Sequence, residues 1–243
     1  MDWTITDSLD PFFEQGLIDE VLYTVKSGKE ATVVCCRAAR ATRHELLAAK
    51  IYRPRAHRSF KDDSRYREGQ VILDARVRRA VASKTSFGRQ AAFAIWVDRE
   101  RDTLTRLRRA GAAVPEVVAA AGGALLLEFI GDAAGAAPML KHAPLTPDDA
   151  RRLSRQLLDE IERWLRHNVV HGDLSPFNVL VWHGRAMVID FPQAVDPRFN
   201  VHAFDLLRRD IEQLARFFRR YDIVVDAEAA ATDLWVRFVT ADL

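Results

Sequence analysis

Cysteine is scarce in this chain: 243 residues carry two, Cys35 and Cys36, side by side. Neighbours on an extended strand point to opposite faces, so a disulfide between them is disfavoured. No Cys-x-x-Cys pair and no Cys/His cluster suggests zinc. An excess of one charge is also missing. Thirty-six Lys and Arg against 34 Asp and Glu leave a net charge of +2. That gives no global nucleic-acid signal, and any basic surface must be local; no sequence-specific nucleic-acid partner is expected. Long hydrophobic runs are absent. The most apolar stretch, residues 117–130, is broken by Gly122, Gly123 and Glu128 and is too short to span a bilayer. The opening residues, Met1-Asp-Trp-Thr-Ile-Thr-Asp7, lack the basic region and apolar core of a secretory signal. There are no internal repeats and no low-complexity tract. A soluble protein of a reducing, cytoplasmic compartment with no membrane partner is expected. With 49% hydrophobic residues it can bury one full core or two lobes.

What is present centres on His171-Gly-Asp-Leu-Ser-Pro-Phe-Asn178, followed by Val188-Ile-Asp-Phe-Pro-Gln-Ala-Val-Asp196. Asp173 and Asn178 stand five residues apart on one loop, and Asp190 follows twelve residues later at the end of an apolar run. Phosphoryl transfer needs such a set: one carboxylate near an acceptor hydroxyl, and an amide and a carboxylate to hold metal on ATP phosphates. Asp173 would orient the hydroxyl and accept its proton. Asn178 and Asp190 would hold Mg²⁺ or Mn²⁺, hard cations that prefer oxygen. The bland alternative makes Asp173 and Asn178 turn formers and Asp190 a strand-end cap.

Upstream, residues 5–20 read as a helical lead-in, and strand character starts at Val21. The pattern 21–25, polar turn 26–30, strand 31–36 is a hairpin. Its turn (Ser27, Gly28, Lys29, Glu30) could lay backbone N–H groups over phosphates, or be an ordinary hairpin turn. It is not a Walker A loop, because the first Gly is missing and Glu30 stands where Ser or Thr should follow Gly-Lys. In Leu46-Leu-Ala-Ala-Lys-Ile-Tyr52, a period of two puts Ala48 and Lys50 on one face. Ala leaves room for a base and Lys reaches phosphates; a solvent-reaching edge Lys is the alternative. Residues 53–70 are expected to form a mobile loop. There Arg53, Arg55, Arg58, Lys61, Arg65 and Arg67 could make a local basic surface, or simply a solvated loop. From about 87 to 110 the spacing of Trp96, Glu100, Leu104 and Leu107 predicts a helix with Glu100 on its apolar stripe. A carboxylate there needs a partner. Lys50 is the candidate, with Arg101 or Arg108 as the alternative.

Two further strands follow, near 117 and 124–130. The loose stretch 132–139 shows no strand pattern, and a lobe boundary is placed at 130/131. An extended connector there would offer Glu128 C=O and Ile130 N–H to an adenine edge. Thr146-Pro-Asp-Asp149 starts a helix with buried stripe Leu153, Leu157, Ile161, Trp164 and Leu165. A hairpin turning at His183-Gly184 would put Asn178 and Asp190 at ends of neighbouring strands. A helix with Phe204, Leu207, Ile211, Leu214 and Phe218 on one face follows, then another from Asp226.

Taken in order, these residues resemble the RIO family of atypical protein kinases. The resemblance is carried by Gly28-Lys-Glu-Ala31, Ala49-Lys-Ile-Tyr-Arg53, Phe60-Lys-Asp-Asp-Ser-Arg-Tyr-Arg-Glu-Gly69, Leu127-Glu-Phe-Ile-Gly131, the 171–178 loop, Ile189-Asp-Phe-Pro-Gln-Ala-Val-Asp196, and Leu207-Arg-Arg-Asp210 with Phe217-Phe218. It implies an α+β, small bilobal protein-kinase-like fold: an N-lobe (1–130) of antiparallel sheet plus helix and a mainly helical C-lobe (131–243). It implies a Ser-containing loop over ATP, Lys50 on ATP, Asp173 as catalytic acid/base, and Asn178 and Asp190 on metal. In related proteins the residue matching Asp190 also takes the phosphate, giving an ATPase-like cycle. Eukaryotic and archaeal members act in small ribosomal subunit maturation, so a small-subunit precursor and an unidentified protein acceptor are the implied partners. Val34 stands where the family usually has Tyr, and Thr32 where it often has Asn or Asp. About a dozen residues separate Asp190 from the next amphipathic helix, with no Asp-Phe-Gly and no Ala-Pro-Glu, so no ordinary activation loop is expected. Three functions compete: a Ser/Thr kinase with autophosphorylation, an ATP-hydrolysing switch, and a small-molecule phosphotransferase. The short segment after the hinge counts against the third.

Overall fold

A computed structural model describes residues 5–53 and 86–243. The element order is α1 (Ile5–Glu14), β1 (Ile18–Ser27), β2 (Ala31–Ala38), β3 (Leu46–Tyr52), α2 (Ser86–Arg109), β4 (Val117–Ala121), β5 (Ala124–Glu128), β6 (Gly131–Asp132), β7 (Gly135–Ala136), α3 (Pro147–Arg166), β8 (Val179–Trp182), β9 (Arg185–Val188), α4 (Ala203–Phe218) and α5 (Ala227–Val239). Tertiary contacts divide the chain into two compact units. Of the described residues, the first takes 5–53, 86–105 and 115–136, and the second takes 106–114 and 137–243.

The first unit is built on a five-stranded antiparallel sheet in the order β1-β2-β3-β5-β4. Leu9 and Phe12 of α1 pack with Ile18, Val34, Cys36, Leu47, Ala49, Ile51 and Leu126 in one core cluster. The lead-in helix is shorter than the sequence reading had it. It stops at Glu14, and residues 18–20 already belong to β1. The stop is a glycine cap: Gly16 sits at φ +63°, its N–H donates to Phe13 O at 2.9 Å, and Leu17 N–H donates to Phe12 O at 2.9 Å. Cys35 and Cys36 are both free and fully buried. Burial pushes the Cys36 thiol up to about 12, so it is not an accessible nucleophile.

The stretch after Gly131 contains a strand pair that the sequence reading did not anticipate. β6 and β7 pair as a minimal hairpin, closed by Ala134 N–H donating to Asp132 Oδ1 at 2.8 Å. Strands of two residues carry no side-chain alternation, so periodicity cannot reveal them. Gly131 is required there: it sits at φ +147°, and a Cβ would lie 2.3 Å from Gly135 O.

The second unit is mainly helical. α3 starts in a capping box, with Asp149 N–H donating to Thr146 Oγ1 at 3.1 Å and Thr146 N–H donating to Asp149 Oδ2 at 3.2 Å. Its stripe of Leu153, Leu157, Ile161, Trp164 and Leu165 is buried, as are Leu207, Ile211, Leu214 and Phe218 of α4. The two-stranded β8–β9 sheet packs on α3. It is extended by the segment ahead of α3: Leu140 N–H donates to Val179 O at 2.7 Å, and Val181 N–H to Pro138 O at 2.9 Å. α5 begins at the cap Asp226, which accepts from Ala229 N–H at 3.0 Å.

Candidate active site

In the first unit, β3 and α2 bring Lys50 and Glu100 together. Lys50 Nζ lies 2.7 Å from Glu100 Oε1, and Tyr52 donates its hydroxyl to Glu100 Oε2. Glu100 is 1% exposed and Lys50 9%. A buried pair of this kind persists because each charge is matched and the remaining carboxylate oxygen is also bonded. Lys50 also lies 5.1 Å from the centre of the Tyr52 ring. The alternative partners are engaged elsewhere: Arg101 pairs with Asp98 and Asp102, and Arg108 donates to Val114 O.

The 27–30 turn is closed by Gly28 N–H donating to Ala31 O at 2.9 Å. Ser27 and Lys29 are exposed, Gly28 and Glu30 half-buried. Arg53, grouped by sequence with the basic 53–70 stretch, belongs instead to this turn. Its N–H donates to Glu30 O at 2.8 Å and its guanidinium to Ser27 Oγ at 2.8 Å. The rest of that stretch, with Arg55, Arg58, Lys61, Arg65 and Arg67, lies outside the described residues, as does the 60–69 motif. At the end of β5, Glu128 holds the entry to β4: its N–H donates to Glu116 O at 2.9 Å and its carboxylate accepts from Glu116 N–H at 3.1 Å. Ile130 is buried two residues further on.

In the second unit, β8 and β9 set the spacing of Asn178 and Asp190. Val179 pairs with Val188, and Ile189 N–H donates to Asn178 O at 2.9 Å. Asn178 Nδ2 donates to Asp173 O at 2.9 Å. That bond fixes which end of the amide is nitrogen and leaves Oδ1 as an oxygen donor for a hard cation. Asp190 adopts φ +71°, a left-handed conformation uncommon outside glycine. Asp173 and Asp190 interact electrostatically. Burial, and then the Asp190 charge, raise the Asp173 carboxyl above its usual range, against a smaller opposing effect of Arg209. Among the described residues no three His, Cys, Asp or Glu side chains group as metal ligands. A cation held by Asn178 and Asp190 would therefore complete its shell with phosphate and water, the habit of Mg²⁺.

His171 is structural. It is 1% exposed, stacks within 4.4 Å of Phe191, and accepts at Nδ1 from Asp173 N–H at 3.3 Å. The proton is then on Nε2, directed at Ile189 O at 3.3 Å. The ring thus ties the Asp173 loop to the segment between β9 and Asp190.

The residue to which sequence reading gave no role is Asp210 of α4. It is 2% exposed and accepts two main-chain bonds at 2.8 Å, from Gly172 N–H and Leu174 N–H, flanking Asp173. Burial pushes its carboxyl up to about 7 despite those bonds. A signal was available: like Glu100, Asp210 falls on an apolar stripe, three residues after Leu207 and next to Ile211.

The solved structures place the fold in the protein-kinase class. The Rio2 kinase–ADP/Mg²⁺–phosphoaspartate complex from Chaetomium thermophilum superposes with a TM-score of 0.67 at 20% identity, covering 93% of this chain and 64% of that one. The RIO domain model matches residues 33–230, so the chain belongs to the RIO-domain family. It is 31% identical over 231 residues to serine/threonine-protein kinase RIO1 of Caenorhabditis elegans, covering 91% of this chain and 43% of that protein. It is 31% identical over 230 residues to RIO-type serine/threonine-protein kinase Rio1 of Haloferax volcanii, covering 94% and 72%. The chain thus spans less than half the length of the worm relative.

Proposed function

We propose that this protein transfers the γ-phosphoryl group of ATP as a RIO-type serine/threonine kinase, with autophosphorylation among its reactions. The observation that carries the reading is the loop anchored on Asp210. It holds Asp173 between two bonded amides and ties the Asn178 amide to the loop through Nδ2, so that Oδ1 is not the atom used in that bond. In the reaction, a hydroxyl oxygen bonds to the γ-phosphorus, the bond to the β,γ-bridging oxygen breaks, and ADP leaves. The hydroxyl proton passes to Asp173, whose raised affinity for a proton suits that task. Asn178 and Asp190 would hold Mg²⁺ or Mn²⁺, which neutralises phosphate charge. Lys50, oriented by Glu100, would bind phosphates under the 27–30 turn, and Glu128 C=O with Ile130 N–H would bind the adenine edge.

A second reading is favoured by Asp190. Its left-handed backbone marks it as conformationally special, and the Chaetomium relative is described as a phosphoaspartate complex. On this reading Asp190 takes the phosphate and the protein works as an ATPase switch on a partner, with a small ribosomal subunit precursor as the candidate. Action in the cytoplasm agrees with the two free thiols.

The test is incubation with γ-labelled ATP and Mg²⁺, then acid and hydroxylamine treatment. Acid-stable label on Ser or Thr, lost in Asp173→Asn, is the kinase outcome. Hydroxylamine-labile label lost in Asp190→Ala is the switch outcome. A protein that neither binds ATP nor takes label refutes both.

A further inference from the structure

We propose that Arg53 is a positioning residue for the nucleotide triphosphate: it sets the shape of the 27–30 turn and leaves the Ser27 hydroxyl free to donate to a phosphate oxygen. The proposal rests on the ATP reading above and extends it to a residue outside the kinase set.

Arg53 follows directly on β3, yet its contacts lie on the β1–β2 turn. Its main-chain N–H holds Glu30 O at 2.8 Å, and Nη2 reaches Ser27 Oγ at 2.8 Å and Thr32 Oγ1 at 3.3 Å. Ser27 and Thr32 are the last register pair of the β1–β2 ladder, with their hydroxyl oxygens 3.3 Å apart. One side chain therefore bridges both sides of the turn where it leaves the ladder. Glycine does not supply that shape. Gly28 is the turn's single glycine, it lies outside the left-handed region, and a Cβ there would meet Ala31 O at an ordinary 3.5 Å.

Hydrogen-bond polarity gives the strap a chemical consequence. A guanidinium only donates, so both hydroxyl oxygens accept from Arg53. Between Ser27 and Thr32 one further bond can form, and it uses one of the two hydroxyl protons. Thr32 is 3% exposed while Ser27 is exposed, so the arrangement in which Thr32 donates to Ser27 Oγ is the one that leaves the spare proton on the side open to solvent. The exposed Ser27 O–H is then left to point outward. Among the described residues every oxygen that Arg53 bonds is neutral, and its Nε is buried with no hydrogen-bond partner there. Among the described residues no carboxylate is bonded to that guanidinium, and Glu30 is the one acid of the 27–30 turn. Exposed Lys26 stands near the end of β1 and exposed Lys29 on the turn itself. The Arg53 guanidinium and two lysines outnumber the single Glu30 carboxylate, and with an outward hydroxyl they form a complement to a polyphosphate, whereas an adenosine without phosphates gains nothing from them.

The experiment measures binding of Mg-ATP and of adenosine by calorimetry for the wild type, Arg53→Ala, Arg53→Lys, Ser27→Ala and the Arg53→Ala/Ser27→Ala pair. Melting without nucleotide serves as the folding control. Arg53→Ala and Ser27→Ala should each weaken ATP about tenfold with adenosine affinity unchanged. The double variant should be no weaker than the worse single one, because Arg53 acts through Ser27. Arg53→Lys, which keeps a donor and the charge, should recover part of the loss and remains informative if Arg53→Ala does not fold. Unchanged ATP affinity in Arg53→Ala or Ser27→Ala, or multiplicative losses in the double variant, overturns the proposal alone. Absence of ATP binding by the wild type overturns the functional reading and this proposal with it.

Discussion

Replacing Asp210 with Ala removes the acceptor of two buried main-chain donors, Gly172 N–H and Leu174 N–H. An orphaned buried donor costs about 1–3 kcal/mol, so the gross cost for two is about 2–6 kcal/mol. Removing a carboxylate that burial disfavours returns part of this, and a net loss of about 2–4 kcal/mol is expected. Asp210→Asn keeps the volume but can accept only one of the bonds through its oxygen, while its NH₂ faces the other N–H; about 1–3 kcal/mol should be lost. Both donors flank Asp173, so the damage falls on catalysis as well. A displacement of about 1 Å in a reacting group costs on the order of a hundredfold in rate. Urea unfolding and steady-state phosphotransfer would measure the two effects. The expected pattern for Asp210→Asn is a clear fall in the unfolding midpoint and a large fall in kcat with a small change in KM for ATP. Stability within about 0.5 kcal/mol of wild type with unchanged kcat would refute the anchoring role.

The Asp210 carboxyl also imposes a pH dependence. Its folded value of about 7 lies above the ordinary carboxylate value of about 4, so between those limits the folded state binds more protons than the unfolded one. Stability should therefore fall as pH rises from about 4 to about 7 and level off above; the raised Asp173 carboxyl acts in the same direction. Unfolding curves at several pH values should show a shallower slope in Asp210→Asn. In Glu100→Ala, Lys50 keeps a buried charge and Tyr52 loses its acceptor, a loss of about 3–5 kcal/mol by chemical denaturation; Glu100→Gln should lose less. Gly131→Ala should cost about 1–3 kcal/mol through overpacking against Gly135 O. Gly28→Ala should leave thermal stability nearly unchanged, so any loss of ATP affinity there reports on the nucleotide.

Much of this was legible in residue patterns. A polar turn between two strand-like runs marked β1 and β2, a period of two set the face of Lys50 in β3, and Thr146-Pro-Asp-Asp149 marked the start of α3 because caps are local chemistry. Glu100 betrayed its partner because a carboxylate on an apolar stripe must be neutralised, and the structure puts Lys50 there. Asp210 sits on an apolar stripe in the same way, but its partners are backbone amides, which leave no mark on residue identity. Arg53 was assigned by composition to a basic stretch, whereas its partners are small hydroxyls on a neighbouring hairpin, a relation that only strand register reveals. The β6–β7 hairpin and the glycine stop of α1 depend on φ values that letters record only as the presence of Gly.

The most direct measurement is transfer from γ-labelled Mg-ATP by the wild-type chain beside Asp173→Asn, Asn178→Ala and Asp190→Ala. Label that requires all three residues, with ATP binding retained in Asp173→Asn, is the predicted result. Equal labelling of wild type and Asp173→Asn, or none in any protein despite tight ATP binding, would contradict phosphoryl transfer at this loop.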